Sequence, residues 1–112
     1  MGESQKRYVV DLDGTLCTNT EGDYSAAQPK IDRIKIINEL FEAGQQIIIL
    51  TARGMGRFNN DARAAEQAFR ALTEAQLSEW GVKYHALFLG KPAGDLYIDD
   101  KAIKDSDFFE LK

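Results

Sequence analysis

Short apolar runs recur along the chain, separated by polar loops and by stretches with helical spacing. Residues 8–12 (YVVDL), 46–51 (QIIILT) and 86–89 (ALFL) are rich in β-branched, aromatic and leucine side chains. Runs of this length and composition predict buried strands. The shorter run at residues 96–98 (LYI) predicts a fourth strand.

Two longer stretches predict helices. The first follows Pro29 and ends near Gly44, a residue type common just beyond helix C-termini. Its apolar positions recur every three or four residues, at Ile31, Ile34, Ile37, Leu40 and Phe41. Residues 61–80 favour a second helix through their Ala, Glu, Arg, Leu and Gln content, with a candidate interruption at residues 72–73.

The order of these elements predicts the fold class. Strand, helix, strand, helix, strand and strand indicate one α/β domain over residues 1–112, a three-layer, Rossmann-like parallel sheet of about four strands with helices on both faces. Residues 15–30 lack periodicity and predict a loop or a short hairpin flap. Residues 101–112 predict a turn of helix and a tail.

Composition narrows the function classes. Lys and Arg number 14 against 18 Asp and Glu, so the net charge is −4, and we expect no nucleic-acid partner because phosphate contacts need a basic excess. We also expect no membrane span and no signal peptide, since apolar runs are short and residues 1–7 are polar. A single cysteine cannot form an internal disulfide. These features predict a cytoplasmic protein.

Polar residues suited to phosphate or metal chemistry stand at the end of each predicted strand. They are Asp11 and Asp13, then Thr51, Lys91, and finally Asp99 and Asp100. In open α/β sheets, ligands bind outside the carboxyl ends of the strands. A parallel sheet would therefore gather these groups, distant in sequence, at one rim.

The chemistry of this set is coherent. Clustered carboxylates repel one another unless a cation lies among them, and Mg²⁺ is the cation that prefers such oxygen ligands. A lysine ammonium and a threonine hydroxyl would complete a site for a phosphoryl group. Asp11 and Asp13 lie on the same side of a strand by its period of two. One could act as nucleophile and the other as proton carrier.

Residues 11–16 (DLDGTL) resemble the first motif of the haloacid dehalogenase superfamily of aspartate-nucleophile phosphotransferases. Thr51 is similar to the second motif, Lys91 to the third, and residues 97–100 (YIDD) to the fourth. The resemblance implies that Asp11 is the nucleophile and Asp13 the general acid and base. Thr51 and Lys91 would then hold the phosphoryl group.

The same resemblance implies a Mg²⁺ site. Its ligands would be the Asp11 carboxylate, the Asp13 backbone carbonyl and the Asp100 carboxylate, with Asp99 supporting them from outside the coordination sphere. None of the four motifs gives a function to Arg53. Its guanidinium fork suits oxyanions, so we expect it to bind the phosphate.

Short intervals between the motifs leave no room for a cap domain. Thirty-seven residues separate Asp13 from Thr51, and 39 separate Thr51 from Lys91. We expect an open site, covered by residues 15–30 or by a second subunit of a homo-oligomer. Residues 51–55 (TARGM) and 90–92 (GKP) resemble those of capless phosphatases linked to capsular polysaccharide biosynthesis. That resemblance implies a small phosphorylated sugar or polyol as substrate.

Two other function classes fit the same residues. A phospho-accepting signalling domain also clusters Asp, Thr and Lys on a parallel sheet, but it phosphorylates an aspartate after a middle strand, where this chain has Thr51. The second alternative class is a non-catalytic phosphosugar-binding module.

Two further residues carry chemistry that the site does not use. We expect His85 to be structural or solvated, and Cys17 to be a small buried apolar residue without catalytic function.

Overall fold

The structure, a computed structural model, describes residues 5–111. Its regular elements alternate along the chain as strands and helices, with one 3₁₀ turn at Tyr24–Ala26 in the segment after the first strand. The strands and helices are β1 (Arg7–Val10), α1 (Ile31–Glu42), β2 (Gln46–Thr51), α2 (Ala62–Glu79), β3 (Ala86–Leu89) and α3 (Asp105–Glu110).

The sheet is parallel, and β2 is its central strand. Val10 of β1 is in register with Ile49 of β2, and Thr51 of β2 with Leu89 of β3. The carboxyl ends of the three strands therefore lie along one edge of the sheet. The residues that follow β1, β2 and β3 leave the sheet at that edge, as the strand pattern predicts.

The core lies around β2, whose residues alternate between buried and half-buried positions. Ile47 and Ile49 are fully buried, α1 contributes Ile34 and Ile37, and α2 contributes Leu77. Burial of one such side chain stabilises the folded protein by about 1.5–3 kcal/mol relative to leaving that side chain exposed. None of the helices in residues 5–111 has both the length and the apolar character needed to cross a bilayer.

Strands β2 and β3 span the residues that the sequence predicts, and both long helices are confirmed. Helix α1 ends before Gly44, whose φ of 94° is a left-handed conformation that favours glycine. Helix α2 continues through residues 72–73 without interruption. It begins after Asp61, whose side chain accepts from the Arg63 and Ala64 amides at 3.1 and 3.2 Å.

The predicted fourth strand is wrong. Residues 96–98 are irregular, with Leu96 81% and Ile98 96% exposed, and the described chain forms a sheet of three strands. The connection explains the difference: six residues, 90–95, separate the end of β3 from residue 96. A parallel strand needs a crossover of about a dozen residues to return to the opposite edge of the sheet.

The predicted C-terminal helical turn is confirmed as α3. The Arg33 guanidinium of α1 donates to Asp105 at 2.7 Å and lies 4.8 Å from the Phe109 ring centroid. That hydrogen bond lowers the pKa of the Asp105 carboxyl below its ordinary value. The Phe108 ring packs against Tyr8 of β1 at 6.1 Å. Charge and aromatic contacts thus join α3 to both α1 and β1.

Candidate active site

A cavity of about 380 Å³ opens at the carboxyl edge of the sheet. The sequence-predicted residues that line it come from positions after β1, at the end of β2 and after β3: Asp11, Asp13, Thr51, Arg53 and Lys91. Asn19, Glu21, Gly22 and Tyr24 line another side of it. The meeting of distant motifs at one rim is therefore observed for the three strands that form.

Asp11 lies one residue beyond β1, next to a cation. Its Oδ2 accepts from the Thr15 hydroxyl at 3.1 Å, and the Lys91 ammonium lies 3.4 Å from Oδ1. The Lys91 amide donates to the Thr51 carbonyl at 3.2 Å, and its Nζ lies 4.3 Å from the centroid of the Tyr97 ring. Lys91 is thus fixed at both ends, by the end of β2 and by Asp11 with Tyr97.

A tight turn follows the two aspartates. The Leu12 carbonyl accepts from the Thr15 and Leu16 amides at 3.0 and 2.8 Å. Gly14 within this turn has a φ of 84°, which a residue with a side chain rarely adopts. The turn sends the chain away from the sheet directly after Asp13 and leaves both aspartates at the rim.

The guanidinium of Arg53, which the sequence predicts to bind phosphate, is directed at protein groups instead. It lines the cavity, but it is 1% exposed and its Nε and Nη2 donate to Asp13 Oδ2 and Oδ1 at 2.9 and 3.0 Å. Its Nη1 donates to Thr73 Oγ1 at 3.2 Å and Gln76 Oε1 at 2.6 Å, and its Nη2 also contacts Cys17 Sγ at 3.9 Å. All five guanidinium N–H groups thus face protein acceptors. The expectation that Arg53 binds phosphate is replaced by an ion pair with Asp13.

Thr51 ends β2 and is almost fully buried. Its hydroxyl oxygen accepts from the Arg53 amide at 3.2 Å. Thr51 also lines the cavity, and a hydroxyl that accepts one hydrogen bond can still rotate its own hydrogen toward a group bound there. Thr51 is therefore placed to donate to an anion in the cavity.

Asp99 and Asp100 do not reach this cavity. The Lys101 amide donates to Asp99 Oδ1 at 2.9 Å, and this bond, with one from Asp100, lowers the pKa of Asp99. Asp100 lies 3.5 Å from the Lys101 ammonium, and both side chains are more than 80% exposed. Within residues 5–111, no three His, Cys, Asp or Glu side chains are grouped as a metal site. The predicted ligand Asp100 is separated from Asp11 because its strand does not form.

The flap at residues 15–30 is tied down at Tyr24. The Tyr24 hydroxyl accepts from the Gly54 amide at 2.9 Å, and its carbonyl accepts from Gln76 Nε2 at 2.8 Å. Its ring lies 4.9 Å from the Arg53 guanidinium carbon and edge-on to Phe69. The glycine at position 54 lets Phe69 pack closely against the backbone there, because a Cβ would lie 2.7 Å from the Phe69 ring. The flap therefore forms a wall of the cavity, fastened to α2.

Thr73 and Gln76 were missed by sequence reasoning, although α2 carries a signal for them. Both are polar, yet they lie buried on the same helix as Leu77 and Ala65. Buried polar side chains are hydrogen-bonded in folded proteins. Polar residues on the apolar face of an amphipathic helix indicate a buried partner, which here is Arg53.

Cys17 and His85 have the structural positions expected of them. Cys17 is buried, and that burial, with the charge of Asp13, raises its pKa to about 12. Its Sγ lies 3.4 Å from Asp13 Oδ1. The His85 ring accepts from the Ile47 amide at 3.0 Å and stacks on Phe41. Cys17 therefore remains a thiol and packs behind Asp13.

Comparison with solved structures supplies a relative for nearly the whole chain. The crystal structure of an MCSG target protein from Vibrio cholerae matches with a TM-score of 0.88 and 31% sequence identity. The match covers 96% of this chain and 90% of the Vibrio protein. The chain belongs to the same family as that protein. No family model and no curated protein matches the sequence.

More distant structures share the fold alone. A chain in the structure of the Pnkp1/Rnl/Hen1 complex has a TM-score of 0.58 at 22% identity, and one in the structure of the Pnkp1/Rnl/Hen1 RNA repair complex has 0.57 at 19%. These matches cover 97% and 96% of this chain but 35% and 30% of the larger chains. The α/β fold described here thus also occurs as one part of larger proteins.

Proposed function

We propose that the protein is a phosphomonoester hydrolase of the haloacid dehalogenase type, without a cap domain. The observation that carries this proposal is the grouping of Asp11, Asp13, Thr51 and Lys91 around one cavity. Together they supply a carboxylate nucleophile, a second carboxylate, a hydroxyl donor and an ammonium group. Such a set suits phosphoryl transfer, in which catalysis depends on positioning and on stabilisation of charge.

The proposed reaction has two displacements at phosphorus. An Asp11 carboxylate oxygen forms a bond to phosphorus while the ester P–O bond breaks, and protonated Asp13 gives its proton to the leaving alcohol oxygen. Asp13 then takes a proton from water, the water oxygen bonds to phosphorus, and the aspartyl P–O bond breaks to release phosphate and restore Asp11. Lys91 and Thr51 stabilise the phosphoryl oxygens throughout.

The donor set accommodates Mg²⁺ in part. Mg²⁺ is typically held by one or two carboxylates together with substrate phosphate and water, and it would neutralise phosphoryl charge. Asp11, which lines the cavity, would supply its carboxylate, and Asp13, whose carboxylate is held by Arg53, would supply its backbone carbonyl. We propose Asp100 as the second carboxylate, reached by rearrangement of the irregular residues 92–101.

The cavity wall favours a polyhydroxylated substrate. Asn19 and Glu21 line the flap side of the cavity, and amide and carboxylate side chains form hydrogen bonds with hydroxyls. The cavity is open to solvent and bounded by the flap. The part of a substrate beyond its phosphoryl group can therefore extend outward. A phosphorylated sugar or polyol, as in polysaccharide biosynthesis, is therefore the substrate class that we propose.

Hydrolysis of p-nitrophenyl phosphate tests the proposal. We expect Mg²⁺-dependent release of phosphate by the wild type, loss of that release with EDTA, and loss in Asp11→Asn. Asp95→Asn, which makes the same change at an exposed aspartate, is the matched control and should keep wild-type activity. Unchanged turnover in Asp11→Asn would contradict the mechanism. A stable phosphoprotein without release of phosphate would indicate a phospho-accepting signalling domain instead.

A further inference from the structure

We infer that Arg53 is a positioning residue for the proton carrier Asp13, an inference that rests on the function proposed above. Arg53 and Asp13 are 40 positions apart in sequence, and their side chains meet through two hydrogen bonds. The Arg53 side chain is fully buried, whereas that of Asp13 is 17% exposed. Arg53 is thus fixed in the protein interior, and Asp13 lies at the cavity.

The paired contact fixes the plane of the carboxylate. Nε and Nη2 of a guanidinium point in parallel, and they meet the two oxygens of Asp13 at 2.9 and 3.0 Å. Bidentate contacts of this kind add directional specificity to the charge interaction. Rotation of the Asp13 side chain would break at least one of the two bonds. Asp13 is therefore held in one orientation relative to Asp11, two residues earlier.

The two oxygens of Asp13 have different surroundings. Oδ1 accepts from Arg53 Nη2 and also contacts the Cys17 thiol at 3.4 Å. Among the contacts of the described residues, Oδ2 accepts from Arg53 Nε. A carboxylate oxygen has two lone pairs, so Oδ2 keeps one for a proton. We assign the transferred proton to Oδ2.

Arg53 is itself held on two sides. Thr73 and Gln76 of α2 accept its remaining Nη1 hydrogens, and the Tyr24 ring of the flap covers its guanidinium. Gln76 also donates to the Tyr24 carbonyl, so the flap and the arginine share a partner. Groups held in this way support a functional side chain within the narrow geometric limits that catalysis needs.

A comparison of two leaving groups tests the role of Arg53. Arg53→Lys keeps the charge and removes the two-pronged donor, and Arg63→Lys, at an exposed position at the start of α2, is the matched control. Glycerol phosphate needs a proton on its leaving oxygen, whereas p-nitrophenolate leaves without one. We expect Arg53→Lys to lower kcat/KM, which reports the first displacement, about a hundredfold on glycerol phosphate and only a few-fold on p-nitrophenyl phosphate. The second displacement, in which Asp13 takes a proton from water, is common to both esters.

The inhibition constant of inorganic phosphate separates positioning from phosphate binding. We expect it to be unchanged in Arg53→Lys, since the Arg53 donors face protein acceptors. Equal losses of kcat/KM on the two esters, or weaker inhibition by phosphate, would overturn the inference while leaving the hydrolase proposal intact. A wild type inactive on both esters would overturn the hydrolase proposal itself, and this inference with it.

A second variant covers the case in which Arg53→Lys does not fold, as circular dichroism would show. Gln76→Met removes one acceptor of Arg53 Nη1 and keeps a side chain of similar size. We expect the same preference for the nitrophenyl ester with a smaller loss of kcat/KM, about tenfold on glycerol phosphate. Equal losses on both esters in folded Gln76→Met would overturn the positioning role of Arg53.

Discussion

Lys91, which follows β3, contacts groups at the carboxyl ends of β1 and β2. Its amide is bonded to the end of β2, its ammonium lies beside Asp11, and the Tyr97 ring lies against that ammonium. In the reaction proposed above, this ammonium would stabilise negative charge on an incoming phosphoryl group. It would also offset repulsion between that group and the Asp11 carboxylate.

Replacement of Lys91 by methionine should therefore weaken catalysis strongly. Met keeps much of the length of the side chain and removes the charge. We expect kcat on p-nitrophenyl phosphate to fall by about 10²–10³-fold, the usual loss when one such donor is removed. Lys35→Met, at an exposed position on α1, is the matched control. Steady-state activity of Lys91→Met within twofold of wild type would contradict this assignment.

Part of this arrangement could be predicted from the residue types in the sequence. Asp11, Thr51 and Lys91 were predictable because each follows or ends a strand and carries a group that phosphate chemistry uses. The partner of Arg53 was not predictable, because a guanidinium fork fits a phosphate and a carboxylate equally well. The buried Thr73 and Gln76 decide between them, and they lie about 20 residues further along the chain.

The irregular segment at residues 92–101 is the element on which the proposed Mg²⁺ site depends. Tyr97 of this segment lines the cavity, and Asp100 follows three residues later. Three residues span at most about 10 Å, so a local rearrangement would carry the Asp100 carboxylate to the rim. Leu96 and Ile98 are largely exposed, and their burial against the protein would favour such a rearrangement.

Magnesium titration of Asp100→Asn tests that proposal. We expect the Mg²⁺ concentration for half-maximal activity to rise at least about tenfold, since loss of a carboxylate at a metal site weakens it by that order or more. Asp95→Asn removes the same charge from the same segment and should titrate like the wild type. Superimposable curves for the wild type, Asp95→Asn and Asp100→Asn would show that Asp100 does not hold the metal.

Secondary-structure elements were predictable where the pattern of apolar residues agrees with residues that typically mark the ends of strands or helices. Strands β2 and β3, and helices α1 and α2, combine an apolar pattern of the right length with a glycine or aspartate at an end. The fourth strand failed because three apolar residues indicate a strand without indicating whether the chain can return to the sheet. The length of the connection after β3 carries that information.

Residues 5–111 form a three-stranded parallel sheet whose carboxyl edge carries the candidate site. Its strands place an aspartate pair, a threonine and a lysine at the same rim, and the flap with α2 closes one side of the cavity. The order of motifs along the chain was enough to predict this meeting, because parallel strands end at one edge. The likeness to the Vibrio cholerae protein extends over nearly the full length of both chains, so the two proteins share this fold.

The central claim is that Asp11 carries the phosphoryl group during turnover, and trapping with borohydride tests it most directly. Borohydride reduces an aspartyl phosphate to homoserine, which peptide mass spectrometry locates. The wild type quenched during turnover of p-nitrophenyl phosphate with Mg²⁺ should contain homoserine at position 11, and protein without substrate should not. Homoserine at position 13, or turnover with no homoserine at either position, would contradict the account.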